Sequence, residues 1–169
     1  GLTDPVEILN KTREIVVQEF EKSDEDVKDG MDIALCSLKF TKEQSETQTI
    51  ALLQYAGANN PLWIIRNNEI IETLANKQPI GKFDNPEPYT THTFELQKGD
   101  SVYIFSDGYV DQFGGEQGKK FKAKAFRKLL LSIQEKGMEE QRTIIDVAFE
   151  IWKGSLDQID DVCIIGVKI

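Results

Sequence analysis

Histidine and cysteine are scarce in this chain of 169 residues, which holds one histidine and two cysteines. The single histidine, His92, excludes a metal site built from several histidines, and the absence of a CxxC pair or a Cys/His cluster argues against zinc. No recognisable nucleophile motif accompanies His92, so Ser-His or Cys-His catalysis is not indicated. Both cysteines, Cys36 and Cys163, lie in apolar, strand-like runs, and we predict that they are small buried thiols.

Long apolar runs and an excess of positive charge are also missing. The longest apolar runs fall well short of the roughly 20 residues that a helix needs to cross a bilayer, and no stretch is typical of a signal peptide. The net charge of −9 disfavours a nucleic-acid or anionic-membrane surface, which needs clustered Lys and Arg. One basic run, Lys119–Lys124, is either a solvated helix face or a contact for an acidic or phosphorylated partner. We expect no nucleic-acid partner and a cytoplasmic domain, with membrane anchoring of a full-length protein left open.

The hydrophobic pattern predicts a helix, about six strands, two helices and a final strand. Asp4 and Pro5 suit the N-cap and the first position of the first helix, and Gly137 and Gly154 are predicted to end the two later helices. Hairpin-joined strands with segregated helices indicate an α+β fold with mostly antiparallel sheets. A doubly wound parallel sheet would instead need helices that alternate with the strands.

Aspartates stand at the ends of two predicted strands. Asp107 follows an apolar run and precedes Gly108, and Asp160 and Asp161 begin the last strand. If these strands pair in antiparallel fashion, Asp107 and Asp160 converge at one rim of the sheet. Converging carboxylates repel each other unless a cation lies between them, and hard oxygen ligands suit Mg²⁺ or Mn²⁺. Each acid alone is explained equally well as a plain turn residue.

The order and spacing of longer motifs are more specific than either acid. The stretches LQKGDSVYIFSDGYVDQFG and IDDVCIIGVKI, separated by two helices, resemble the C-terminal part of a PPM-type (protein phosphatase 2C-like) serine/threonine phosphatase domain of the bacterial SpoIIE type. DGMDIALCSLKF, YAGANNPLWIIR and KQPIG fit the same pattern in the same order, so the resemblance covers essentially the whole chain. It implies the PPM α-β-β-α sandwich, in which mostly antiparallel sheets pack with helices.

The resemblance also implies a site for two divalent cations, Mn²⁺ or Mg²⁺. Asp107 and Asp160 match the family's metal ligands, whereas Asp111, Asp161 and Gly108 would either bind a metal or support the residues that do. In this family the two cations hold a water or hydroxide that attacks the phosphoryl group in line, and no phosphoenzyme forms. No side chain is therefore expected to act as the nucleophile.

The family hydrolyses phosphoserine and phosphothreonine in regulators of sigma factors and related switch proteins. The resemblance thus implies a bacterial signalling phosphatase whose substrate is a phosphorylated regulatory protein and whose full-length chain carries N-terminal sensor domains. Two alternatives stay open. One is a pseudophosphatase that binds a phosphorylated partner without turnover, and the other is an interaction domain that transmits a signal from an attached sensor.

Two motifs of the family do not occur in this sequence, namely a strand with a GD-F/Y element and a D-x-[ST]-G-H-G element whose acid bridges both metals. Asn60 stands where many members carry a histidine, and we interpret Asp29 and Asp32 as turn and surface residues. We therefore expect residues 1–169 to be a single phosphatase domain without its N-terminal part. Alone it should bind metals weakly or not at all, be inactive, and self-associate through the sheet edge left uncovered.

Overall fold

Residues 2–22, 30–40 and 49–169 are described by the computed structural model of the protein. Asp29, which the sequence predicts to be a turn residue, lies outside the described residues. The chain divides into two compact units, of which the first contains residues 1–62, 72–98 and 169 and the second contains residues 63–71 and 99–168. Among the described residues, every helix is too short or too polar to span a bilayer.

The described residues form four helices and eleven strands, in an order that agrees with the predicted one apart from several short added elements. In chain order they are α1 (Pro5–Phe20), β1 (Gly30–Met31), β2 (Ile33–Phe40), β3 (Thr49–Ala58), β4 (Leu62–Arg66), β5 (Glu69–Thr73), β6 (Ile80–Gly81), β7 (His92–Gln97), β8 (Ser101–Phe105), α2 (Gly108–Asp111), β9 (Phe113–Gly114), β10 (Lys119–Lys120), α3 (Ala123–Ile133), α4 (Met138–Lys153) and β11 (Ile164–Lys168). Sheets of antiparallel strands with helices confirm the predicted α+β class.

The first unit packs α1 on a three-stranded antiparallel sheet of order β2-β3-β7. Asp4 caps α1 as predicted, since its side chain accepts hydrogen bonds from the N–H groups of Val6 and Glu7 at 2.9 and 3.3 Å, and Pro5 takes the first helical position. One core cluster of this unit, between α1 and the sheet, contains Leu9, Ala56, Ala58, Ile80 and Tyr89.

The second unit holds a four-stranded sheet of order β11-β8-β4-β5. Asn67 and Asn68 join β4 to β5 with φ angles of 51° and 63°, the left-handed pair that a tight hairpin turn requires. The core is an aromatic cluster in which the ring of Phe105 lies 4.6 Å from that of Trp63 and 5.1 Å from that of Phe126. Edge-to-face packing of this kind adds stability beyond the apolar area that it buries.

A buried ion pair joins the end of β4 to the start of β8. Arg66 donates from Nε and Nη2 to the two carboxylate oxygens of Asp100 at 2.9 and 2.6 Å, and Asp100 is only 2% exposed. The hydrogen bonds to Asp100 raise the pKa of Arg66, so the guanidinium group stays charged. Two parallel bonds fix orientation as well as distance, and they hold β8 firmly against β4.

Two predicted helix boundaries are wrong. Lys119 and Lys120 form β10, paired with β9, and α3 begins only at Ala123 because Lys122 has a φ of 71°, which a right-handed helix excludes. Gly137 does not end α3 but precedes α4 as its N-cap, with an ordinary φ of −65°. The prediction for Gly154 holds, since it follows α4 with a left-handed φ of 58°.

The two cysteines differ, and only one fits the predicted buried thiol. Cys36 lies in β2 and is partly buried, and burial raises the pKa of its thiol to about 11. Cys163 is exposed because it precedes β11, the outer strand of the sheet in the part of the chain that the structure describes.

We predict that a thiol reagent distinguishes the two cysteines. Only the thiolate reacts, and with a pKa of about 11 roughly one Cys36 thiol in a thousand is ionised at about pH 8. Cys163 should therefore react first, and the slow reaction of Cys36 should accelerate about tenfold per pH unit. Absorbance of the released chromophore measures both phases. Cys163→Ser should remove the fast phase and Cys36→Ser the slow one; equal rates would contradict the assignment.

Candidate active site

The antiparallel pairing on which convergence of the two acids depends is present in the structure. β8 and β11 run antiparallel with Phe105 opposite Ile164 and Ser101 opposite Lys168. The chain leaves β8 at the end of the sheet where it enters β11. As a consequence, the segment that contains Asp107 and the segment that contains Asp160 and Asp161 emerge at the same end.

Ser106 continues this pairing one step past the two strands. Its N–H donates to the carbonyl oxygen of Cys163 at 3.0 Å. Its Oγ donates to the carbonyl oxygen of Asp161 at 2.7 Å and accepts from the N–H of Cys163 at 2.9 Å. The hydroxyl thus takes the place of a backbone group and ties the residue before Asp107 to the residue after Asp160. Sequence reasoning missed this role, because nothing local to Ser106 shows which segment lies beside it.

Gly108 lies directly against the backbone of the two acids. A Cβ atom on Gly108 would lie 2.4 Å from the carbonyl oxygen of Asp161 and 3.3 Å from that of Asp160. A real side chain does not tolerate a contact of 2.4 Å with a backbone oxygen. Glycine is therefore required here for close approach, and it allows the start of α2 to touch the backbone carbonyl groups of Asp160 and Asp161.

The carboxylates at this end of the sheet are exposed. Asp107, Asp160 and Asp161 all have solvent-accessible side chains. Asp107 precedes α2, but its side chain makes no capping hydrogen bond to that helix. Asp160 Oδ1 accepts from the N–H of Asp161 at 2.7 Å, which orients one carboxylate oxygen and leaves Oδ2 outside that bond. Exposed carboxylates from both strand ends suit a hard divalent cation that keeps several waters.

Tyr109 anchors α2 behind these acids. Its ring is buried at 1% exposure, packs 4.6 Å from the ring of Phe126, and its hydroxyl donates to the carbonyl oxygen of Ile145 in α4 at 2.9 Å. Burial raises the pKa of Tyr109 well above its ordinary value, so the hydroxyl remains a neutral donor. The residues that follow Asp107 are therefore fixed to the aromatic core.

Asp111 is placed differently from the other acids. Its Oδ2 forms an ion pair with Lys120 Nζ at 2.7 Å, and its N–H donates to the carbonyl oxygen of Asp107 at 2.9 Å. Both side chains of the pair are partly exposed, with 41% for Asp111 and 43% for Lys120, so the pair stabilises the fold only modestly. A cation that binds Asp111 Oδ2 would compete with the ammonium group of Lys120.

The carboxylate oxygens at this end of the sheet are the type of donor that a divalent cation prefers, but too few carboxylates of the described residues come together to complete a site. In residues 2–22, 30–40 and 49–169, no three Asp, Glu, His or Cys side chains come together as a metal-binding group. Asp32 and Asn60, which belong to the first unit, have other partners. Asp32 accepts from Asn59 Nδ2 at 2.7 Å, and the carbonyl oxygen of Asn60 accepts from Tyr55 at 2.6 Å. Asp32 is exposed, in line with a surface residue.

Gln112 is a second residue that sequence reasoning missed. It is fully buried, and its side-chain amide Nε2 donates to the carbonyl oxygen of Asp157 at 2.9 Å. The only signal in the sequence is that a polar residue follows the acid motif directly. The sequence does not show that Gln112 is buried, because a residue in a loop has no periodic pattern that indicates burial.

A separate groove of about 830 Å³ runs between α4 and β11, but neither Asp107 nor Asp160 lines it.

The chain matches known proteins at the level of family and fold. The model of the family Stage II sporulation protein E (SpoIIE) matches residues 2–169, whereas no curated protein sequence matches. The SiaA-PP2C domain of Pseudomonas aeruginosa superposes with a TM-score of 0.81 at 24% identity, over 99% of this chain and 61% of that one. This chain thus spans about three fifths of the length of that domain.

Two further solved structures share the fold. The phosphatase domain of the cell fate determinant SpoIIE from Bacillus subtilis, Mn presoaked, matches with a TM-score of 0.56 at 13% identity, over 100% of this chain and 73% of that one. The Mycobacterium tuberculosis serine/threonine phosphatase PstP/Ppp matches with a TM-score of 0.55 at 14% identity, over 93% and 67% of the two chains. At these identities the likeness establishes the fold alone.

We predict that Gly108→Ala destabilises the protein by about 1–3 kcal/mol, because the added methyl group forces the Asp160–Asp161 backbone to shift. The matched control is Gly137→Ala, since a Cβ there meets no atom within 4 Å and the φ of −65° is ordinary. The control should cost less than about 1 kcal/mol, the modest preference for glycine over alanine at an N-cap. Denaturant unfolding measures the free energy of unfolding of both variants. Equal losses would contradict the prediction, because they would show that the backbone around Gly108 accommodates a methyl group without cost.

Proposed function

Because the chain belongs to the SpoIIE family of PPM-type phosphatase domains, we propose that it forms part of a metal-dependent phosphoserine/phosphothreonine protein phosphatase in a bacterial signalling protein. The observation that supports the proposal most directly is the contact of Gly108 with the backbone carbonyl groups of Asp160 and Asp161. Asp107 and Asp160, which are 53 positions apart in the chain, lie on segments that meet there at one end of the sheet, which is the arrangement that a cation site needs.

Asp107 and Asp160 are the proposed metal ligands, and Gly108 and Asp161 shape the backbone between them. When bound, Mn²⁺ or Mg²⁺ would lower the pKa of a coordinated water and neutralise charge on the phosphoryl group. Asp111 is proposed to reach a further cation through water, in competition with its ion pair to Lys120. The chain itself contributes carboxylate donors, held in place by Ser106 and by the anchored helix α2.

Electrostatics favour a metal-dependent site over metal-free binding of phosphate. A phosphorylated side chain carries close to two negative charges at neutral pH, and Asp107, Asp160 and Asp161 are exposed and acidic. These carboxylates would repel the phosphate unless cations first neutralise them. The net charge of −9 adds to the repulsion at long range.

The proposed substrate is a phosphorylated regulatory protein. In the proposed full-length protein, sensor domains lie N-terminal to this domain, and this domain lies in the cytoplasm. Structures that share the fold support this setting. The PppA protein is described as a key regulatory component of a secretion system in Pseudomonas aeruginosa, and one SpoIIE structure from Bacillus subtilis includes a fragment of a regulatory domain.

We further propose that residues 1–169 alone are inactive and that another segment supplies the acid that completes the site. The support is twofold: the described residues bring no three ligand side chains together, and the chain spans 61% of the SiaA domain. The same incomplete donor set favours a second candidate function, a phosphoprotein-binding or signal-transmitting domain without turnover. β11 forms one edge of the described sheet, so we also propose self-association of the isolated chain through that edge.

The test of the enzyme proposal is hydrolysis of p-nitrophenyl phosphate and of phosphopeptides by the full-length protein in Mn²⁺. Asp107→Asn and Asp160→Asn should each lower the rate by at least about 100-fold, because each removes a carboxylate ligand of the cation that activates water and neutralises charge on the phosphoryl group. Asp157→Asn is the matched control, since Asp157 is an exposed acid on the same loop. A full-length protein without Mn²⁺-dependent turnover would favour the binding domain instead.

The isolated chain gives a separate test. We expect residues 1–169 to show no turnover above a metal blank and weak Mn²⁺ binding in titration calorimetry, because two carboxylates leave most of the coordination sphere to water. Turnover by the isolated chain that Asp107→Asn abolishes would refute the proposal that another segment completes the site.

A further inference from the structure

Gln112 lies in the short connection between α2 and β9, and its side chain is completely buried. Its amide Nε2 donates to the carbonyl oxygens of Asp157 at 2.9 Å and of Phe113 at 3.0 Å. Its Oε1 accepts from the N–H of Ile159 at 3.4 Å. Both ends of the amide are therefore engaged with the segment that leads into Asp160, as a buried polar group requires.

The loop that Gln112 holds has little else to fix it. Residues 154–161 are all exposed, so apolar burial contributes little to the position of this loop. Within it, Gln158 Nε2 donates to the carbonyl oxygen of Asp160 at 2.8 Å, which is a local bond and does not anchor the loop. Among the described residues, Gly108 packs against the backbone of Asp160 and Asp161, and side-chain hydrogen bonds to the rest of the unit come from Ser106, on the far side of Asp160, and Gln112, on the near side.

Gln112 is itself held rigidly on the side of Asp107. Its backbone carbonyl oxygen accepts from Trp152 Nε1 and from the N–H of Phe121, each at 3.0 Å. Gly115 donates from its N–H to the carbonyl oxygen of Trp152 at 2.8 Å, so the chain after Gln112 is pinned to the end of α4. The side-chain amide of Gln112 thus connects a backbone segment that is held by several hydrogen bonds to an exposed loop that has few contacts of its own.

We propose that Gln112 is a positioning residue of the phosphatase site, whose amide holds residues 157–159 so that Asp160 stays beside the Asp107 segment. The inference rests on the proposed function, because it concerns the metal ligands named there. Gln112 touches neither a cation nor a substrate and acts through Asp160. An amide serves this purpose because it donates to one carbonyl and accepts from one N–H at the same time, whereas a carboxylate would only accept.

The test compares two fully buried glutamines in the full-length protein. Gln112→Met keeps the volume of the side chain and removes its hydrogen bonds to the loop. Gln141→Met is the matched control, because Gln141 is equally buried and donates to the carbonyl oxygen of Lys136 at 2.9 Å, away from Asp160. Gln112→Glu is the second variant, in case the methionine variant does not fold, because it keeps the acceptor for Ile159 and loses the donor to Asp157.

Mn²⁺ binding, followed by the electron spin resonance signal of free Mn²⁺, is the decisive measurement. Loss of a group that orients a ligand typically weakens metal affinity by about 10- to 100-fold. We expect a decrease in Mn²⁺ affinity of this size for the Gln112 variants, and a smaller change in kcat at saturating Mn²⁺. Gln141→Met should lower the melting temperature without changing the affinity. Hydrogen exchange without metal should show faster exchange at Ile159 in Gln112→Met, which loses the acceptor of that N–H, and at Asp161 in both Gln112 variants, but at neither position in Gln141→Met.

The outcomes separate this inference from the function on which it rests. Unchanged Mn²⁺ affinity and unchanged hydrogen exchange in folded Gln112 variants, with a wild type that binds Mn²⁺, would overturn the positioning role and leave the phosphatase standing. An equal loss of affinity in Gln141→Met would also overturn it, because the effect would then follow from general destabilisation. A wild type that neither binds Mn²⁺ nor turns over substrate would instead overturn the proposed function.

Discussion

The antiparallel pairing of β8 with β11 is the interaction on which the candidate site depends. It joins two segments that are far apart in the chain, and its register brings the end of one strand to the start of the other. Ser106 carries the pairing past the sheet with three hydrogen bonds. Gly108 then lets the next backbone segment pack against the backbone carbonyl groups of Asp160 and Asp161. Without this register, Asp107 and Asp160 would be two unrelated surface acids.

The two sides of the site are held by different forces. Asp107 is followed by α2, which Tyr109 fixes to an aromatic core through ring packing and a hydrogen bond to α4. Asp160 is preceded by an exposed loop that polar contacts hold, those of Gln112 among them. Apolar burial in a close-packed core restricts motion in every direction, whereas single hydrogen bonds contribute about 1 kcal/mol each. The Asp160 side of the site is therefore the side on which small changes have the larger effect on geometry.

Charge sets the chemistry that this geometry can support. Exposed carboxylates in a chain with a net charge of −9 offer hard oxygen donors for cations and repel phosphate in their absence. The chain belongs to the SpoIIE family, and it shares the PP2C-like fold with structures such as the SiaA domain, to which it is 24% identical. Both findings agree with a phosphatase scaffold. The proposed function accordingly assigns the acids to cations and leaves recognition of the phosphorylated partner to the protein as a whole.

Local features of the structure were determined by the sequence itself. The Asp4 cap, the Asn67–Asn68 turn and the order of helices and strands follow from backbone preferences and side-chain periodicity. The acids at two strand ends raised the β8–β11 pairing only as a condition for their convergence, and the tertiary structure met that condition. Only the tertiary structure decided the exposure of Cys163, the ion pair of Asp111 with Lys120, and the burial of Gln112. Each of these depends on which distant segment packs alongside, and that is a property of long-range packing which no short stretch of sequence encodes.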